Sequence, residues 1–60
     1  PSDPEITGHL GDVYWVLGRY DEARFKWRLA RSLSADDEER AMLTSRLEHG
    51  LSPDDIPAAN

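Results

Sequence analysis

The sequence predicts an all-α fold. Three segments repeat apolar residues at the three-to-four-residue spacing of an amphipathic helix. Start signals precede these segments, and glycine follows two of them. No segment shows the strict apolar–polar alternation of a half-buried strand. With 60 residues, the chain has room for one small domain at most.

The first helix is predicted over residues 4–17. Ser2 and Asp3 before Pro4 and Glu5 form a start signature: a small polar cap, a proline in the first turn and a carboxylate near the positive helix end. Gly18 ends the segment. Its apolar residues are expected to form the inner face, and they are Ile6, Leu10, Val13, Tyr14 and Leu17.

The second helix is predicted over residues 21–32, after a short turn. Asp21 and Glu22 place negative charge in its first turn, where the helix macrodipole favours it. Its inner face is expected to consist of Ala23, Trp27, Ala30 and Leu33, with Phe25 and Leu29 beside them.

The third helix is predicted over residues 36–49. Asp36 with Glu39 three residues later resembles a capping box, and Ser34 is the competing cap. Gly50 is the expected stop. Leu43 and Leu47 form a narrow apolar stripe, while the charged side, which includes Glu38, Arg40 and Glu48, is expected to face solvent.

The first two helices carry a known pattern. Residues 10–14 read L-G-D-V-Y, residues 18–23 read G-R-Y-D-E-A, and Trp27 stands four residues after Ala23. This order resembles the tetratricopeptide repeat, a 34-residue helix–turn–helix unit. The small residues at the matched positions let neighbouring helices approach closely. The resemblance implies packing roles for Leu10, Gly11, Tyr14, Gly18, Tyr20, Ala23, Trp27 and Ala30.

Two positions depart from the family pattern. Thr7 stands where a large aromatic residue is usual, and Ala35 stands where the terminating proline is expected. The resemblance implies an α-solenoid fragment with one hairpin over 1–37, a capping helix over 38–50 and an irregular tail over 51–60, in which Ile56 would touch the core. Because the sequence begins at Pro1 without an initiator methionine, we expect a piece of a longer protein. The third helix resembles the solvating helix that ends such arrays, so the resemblance implies the C-terminal end of a longer bacterial repeat protein.

The resemblance implies protein–protein interaction. In this family the first helix lines a groove, and the corresponding stripe here consists of Glu5, Asp12, Trp15 and Val16. The simpler interpretation is that Trp15 and Val16 pack against a neighbouring repeat. An alternative function is that of a structural end cap without a ligand of its own, and a third is a fragment of an enzyme whose catalytic part lies elsewhere.

Composition argues against several other classes. Twelve acidic residues face seven basic ones, the net charge is −5, and no basic stripe marks a nucleic-acid module. No stretch approaches the roughly 20 apolar residues of a membrane span. With no cysteine and so short a chain, the missing stability is expected to come from homo-oligomer formation. A symmetric dimer is favoured over an exchange of helices.

No catalytic constellation is visible, so we expect no enzyme activity and no cofactor. His9 has Glu5 four residues before it and Asp12 three residues after it, a spacing that could hold a divalent cation. Such spacing is common by chance in acidic helices, and a solvated or salt-bridged histidine is the favoured interpretation.

Overall fold

Three helices and a terminal turn follow one another in the computed structural model, which describes residues 3–55 and the side chains as far as Asp54. They are α1 (Pro4–Val16), α2 (Tyr20–Leu33), α3 (Asp37–His49) and the short 3-10 helix η1 (Pro53–Asp55). No strand occurs within 3–55, so the predicted all-α class is confirmed. The predicted helix bounds are correct to within one residue at each end. Ser2 and Ile56 lie outside the described residues.

The local signals act at the helix ends as predicted. The Asp3 side chain accepts a hydrogen bond from the Glu5 backbone N–H at 2.9 Å and caps α1. At the other end Gly18 has a φ of 82°, its N–H donates to the Trp15 carbonyl, and the Arg19 N–H donates to the Tyr14 carbonyl. These two bonds form a Schellman motif, which lets the chain turn within three residues.

The start of α3 differs in one detail from the predicted capping box. The Asp36 side chain caps α3 by accepting from the Glu38 N–H at 3.2 Å. Glu39, however, accepts a hydrogen bond from the Ser34 hydroxyl, and the same hydroxyl oxygen accepts from the Asp36 N–H. Both candidate caps are therefore used, and Ser34 is buried by this arrangement.

Helices α1 and α2 form an antiparallel hairpin whose contact is made by small residues. A Cβ atom placed on Gly11 would stand 2.5 Å from the Trp27 indole and 3.0 Å from the Ala23 carbonyl oxygen. One helical turn earlier, Gly8 lies opposite Ala30. Residue numbers thus decrease along α1 as they increase along α2, which defines the antiparallel arrangement. The absence of side chains at these glycines is what allows the backbones to approach.

Helix α3 packs against α2 and closes one side of the hairpin. Leu43 of α3 is buried and reaches toward Gly8 of α1, and Leu47 is partly buried against the same core. Leu51, just after α3, is also buried. The buried hydrophobic core consists of Ala23, Trp27, Ala30, Leu43 and Leu51.

The inner face of α1 is not the predicted one. Its buried residues are Thr7, Gly8 and Gly11. Ile6 and Leu10 instead lie on the outer side. The apolar period correctly identified a helix, but it assigned the wrong face, because glycine and threonine contribute no hydrophobic signal to the side that packs most closely. On α2, Ala23, Trp27 and Ala30 are buried as predicted, whereas Leu33 is partly exposed.

Candidate functional site

Asp12 joins all three helices. Its Oδ1 accepts a hydrogen bond from the Trp27 Nε1–H at 3.0 Å. Nη1 of Arg46, on α3, donates to both carboxylate oxygens at 3.1 and 3.2 Å. The Arg46 side chain is 14% exposed and that of Asp12 is 25% exposed, so the ion pair is only partly screened by water. This carboxylate therefore specifies how α3 sits on the hairpin.

The Arg46 guanidinium depends strongly on Asp12. Its Nε is buried and has no hydrogen-bond partner among residues 3–55. A buried donor without a partner is costly, so the bonds to Asp12 offset part of the cost of burying this cation. Asp12 thus serves an internal electrostatic function in this chain.

Trp15 is enclosed by its own chain. Its ring lies 4.4 Å from that of Tyr20 and 5.5 Å from that of Trp27, measured between centroids. The Arg24 guanidinium lies 5.3 Å from the Trp15 ring centroid. The indole also fills the space where Gly50 would carry a side chain, since a Cβ there would lie 2.3 Å from Trp15. Trp15 therefore packs the end of α3 onto the hairpin.

These contacts divide the stripe that the resemblance implied as a partner surface. Asp12 and Trp15 are turned inward and engaged by α2 and α3, whereas Glu5 and Val16 are exposed. The four side chains do not form one continuous exposed surface. Glu5 and Val16 are the more exposed of the four, whereas Asp12 and Trp15 are partly buried.

The eight residues that the resemblance assigns to repeat packing differ in burial. Gly11, Ala23, Trp27 and Ala30 are buried, and Tyr14 packs against the core while partly buried. Leu10, Gly18 and Tyr20 are exposed. Gly18 acts through its positive φ and Tyr20 through its contact with Trp15, so neither needs burial for its local function. Leu10 is 43% exposed and is not part of the buried core.

A stripe of apolar residues runs along the solvent side of α1, with Glu5 and His9 exposed beside it. Ile6 is 60% exposed, Val13 53% and Leu17 65%, and Leu10 lies between them in the same stripe. Their spacings of four, three and four residues place them within a narrow arc of the helix. The sequence predicts these four residues as the inner face of the helix, whereas the structure shows them exposed. The signal that could have shown the opposite was the Gly8–Gly11 pair on the other face.

Helix α2 extends this apolar surface. Phe25 and Leu29 are exposed, and Phe25 lines a shallow depression with Tyr14 of α1, whose other lining residues are the charged Asp21, Glu22 and Lys26. The antiparallel register that pairs Tyr14 with Phe25 brings Leu29 level with Leu10. We call this surface the open face of the hairpin, and it consists of Ile6, Leu10, Val13, Leu17, Phe25 and Leu29.

The open face presents on the order of 600 Å² of apolar surface, the upper end of the largest patch on a typical monomer. Single exposed apolar residues need no explanation, whereas a group of six on one hairpin is a candidate interaction surface. At the ends of the α1 stripe lie Glu5 and Arg19, and Arg19 also binds Glu22 through two hydrogen bonds. The centre of the stripe carries no charge.

The structure does not assemble the cation site considered for His9. His9 is exposed, and Asp12 is turned toward Trp27 and Arg46. Within residues 3–55, no three histidine, cysteine, aspartate or glutamate residues come together as a possible metal site. No helix in the same part of the chain is long and apolar enough to cross a membrane.

Comparisons with protein-family models, with curated proteins and with solved structures found no match to this chain. The functional interpretation therefore rests on the geometry described above and on the sequence pattern.

Proposed function

We propose that this chain is a protein–protein interaction module: a terminal helical-repeat unit of tetratricopeptide type that contacts neighbouring repeats or a partner protein through α1. The observation that carries the proposal is the open face. A helix that is buried on one side and apolar on the opposite side requires a second cover. On the side of the hairpin opposite the open face, which we call the covered side, α3 already provides this cover.

The small-residue contacts support the helical-repeat interpretation. Gly11 and Ala23 let α1 and α2 approach, and Gly8 with Ala30 leaves room for Leu43 of α3. In repeat proteins each unit contacts only its neighbours, and the stacked units bury a continuous core. A third helix that packs across the hairpin in this way resembles the next helix of such an array. The charged outer side of α3, with Glu38, Arg40 and Glu48 exposed, suits a terminal position.

The alternative is a structural end cap that contacts only adjacent repeats of its own polypeptide. Both functions use the open face, and they differ in what covers it. Site-specific photo-crosslinking in cells that produce the protein separates them. The photoreactive residue replaces Val13 in the open face, or Glu48 on the outer side of α3 as the matched control.

The interaction module predicts adducts between Val13 and a second polypeptide, identified by mass spectrometry, and few adducts from Glu48. Adducts confined to the same polypeptide would establish the end cap instead. Equal labelling from both positions, or none from Val13, would contradict both functions of the open face.

A further inference from the structure

We infer that the open face binds a second copy of this chain, forming a symmetric dimer in which two α1 helices pack antiparallel. The inference rests on the proposed function and names the partner of that surface. It depends on three properties of the open face: the register of its apolar residues, its area and the distribution of charge around it.

The α1 stripe is self-complementary under a two-fold rotation. Its spacings read four, three, four, the same in both directions. A two-fold axis that passes through the stripe at the level midway between residues 11 and 12 would therefore place Ile6 opposite Leu17 of the second copy, and Leu10 opposite Val13. Every exposed apolar residue of the stripe meets another one. A closed two-fold contact is also the commonest symmetry of homo-oligomers.

The area suits a weak dimer. Complete burial of both open faces would remove at most roughly 1,200 Å² from water, the lower limit of standard-size interfaces, and the α1 stripe supplies the larger share of it. Interfaces at or below this limit are typical of transient association, so we expect the dimer to form only at high protein concentration.

The charge distribution permits this contact despite the net charge of −5 on each copy. The centre of the stripe is uncharged. The antiparallel arrangement brings Glu5 of one copy toward the turn that contains Arg19 of the other, and it opposes the two helix dipoles favourably. The acidic start of α3 (Asp36, Asp37 and Glu38) belongs to the helix on the covered side of the hairpin, away from the contact.

Sedimentation equilibrium from about 10 µM to about 1 mM protein, a range that covers weak association, tests this inference. The matched variants are Leu10→Glu in the open face and Met42→Glu on α3, because both side chains are 43% exposed. Leu10→Glu should weaken association at least about tenfold, since each substitution acts twice in a symmetric dimer, whereas Met42→Glu should change it less than about twofold. Urea unfolding at low micromolar protein verifies that both variants fold.

Two further measurements test the geometry and the electrostatics of the contact. The chain has no cysteine, so a mixture of the variants Leu10→Cys and Val13→Cys should form the mixed disulfide in preference to either homodisulfide. Added salt should strengthen association, because it screens the repulsion between two acidic copies while leaving apolar contacts intact.

Three results would overturn the inference: a monomer at all concentrations, association that Leu10→Glu leaves intact, or disulfides formed without preference. Persistent association of the Leu10→Glu variant would instead indicate exchange of helices. A monomer whose Val13 position still crosslinks to a different polypeptide would refute the dimer and leave the proposed function standing.

Discussion

The two sides of the α1–α2 hairpin use different kinds of packing. On the covered side, glycine and alanine allow backbone approach, one large side chain (Trp27) fills the remaining space, and a carboxylate fixes the third helix. The open face has five aliphatic side chains and Phe25, with no glycine and no buried polar group. The covered side therefore specifies one geometry, whereas the open face provides area with little geometric specification.

The largest difference between the sides should come from removing an aromatic side chain on each. Trp27→Ala should cost about 3–5 kcal/mol through lost burial and a cavity. Because a chain of this length has a total stability of roughly 3–9 kcal/mol, most of this variant should be unfolded at 25 °C. Phe25→Ala on the open face should cost about 0.5 kcal/mol or less in dilute monomer. Circular dichroism with urea titration measures both, and equal losses would refute the distinction.

The polar network on the covered side sharpens the comparison. Asp12→Ala should cost about 1–3 kcal/mol, because it leaves the buried Arg46 guanidinium and the Trp27 N–H without their acceptor. Arg46→Met keeps an apolar stem and leaves Asp12 bonded to Trp27, so its cost should be about 1 kcal/mol or less. Both variants are compared by urea unfolding. A larger loss for Arg46→Met would show that the cation, rather than the carboxylate, organises the network.

Two glycines of α1 should respond to alanine with opposite signs. At Gly11 the new methyl group would lie 2.5 Å from the Trp27 ring, and the overpacking should cost about 1 kcal/mol net of the gain in helix propensity. At Gly8 the nearest atom is 3.5 Å away, an ordinary contact, so alanine should stabilise the chain by about 0.5–1 kcal/mol. Thermal unfolding of the pair checks the signs. A stabilising Gly11→Ala would mean that the helices are less closely packed than described.

The smallest effect is expected at the centre of the open face. Val13→Lys should change the unfolding free energy of the dilute monomer by less than about 0.5 kcal/mol, because Val13 makes no core contact. Urea unfolding at low micromolar protein measures this quantity, with Trp27→Ala as the sensitive reference. A loss above 1.5 kcal/mol would place Val13 in the core of the single chain.

Much of the fold could be predicted from local sequence. The helix bounds follow from signals that act within one turn, such as the Asp3 cap and the Gly18 stop. Trp27 and Leu43 lie in the core, as the helical spacing of the apolar residues on α2 and α3 predicts. On α1 the same reasoning failed, because the packed face is formed by Thr7, Gly8 and Gly11, which add no hydrophobic signal, while the exposed stripe is aliphatic.

The candidate site was less predictable for a different reason. Asp12 and Arg46 are 34 residues apart, and no local pattern relates them. Trp15 meets Gly50 only because α3 returns along the hairpin. The partner surface that the resemblance implied was therefore divided by long-range contacts of the chain itself.

The sequence separations within the Asp12 network also imply an order of events during folding. Trp27 lies 15 residues from Asp12, whereas Arg46 lies 34 residues away. Closing the longer loop costs about 0.7 kcal/mol more in chain entropy. The hairpin is therefore expected to form first, with the Asp12 carboxylate already bonded to the Trp27 indole. Arg46 of α3 would then bind this carboxylate as the third helix docks. Because α3 packs chiefly against α2 and less extensively than α1 does, we expect α3 to detach before the hairpin opens, so its backbone amides should exchange with solvent sooner than those of the hairpin.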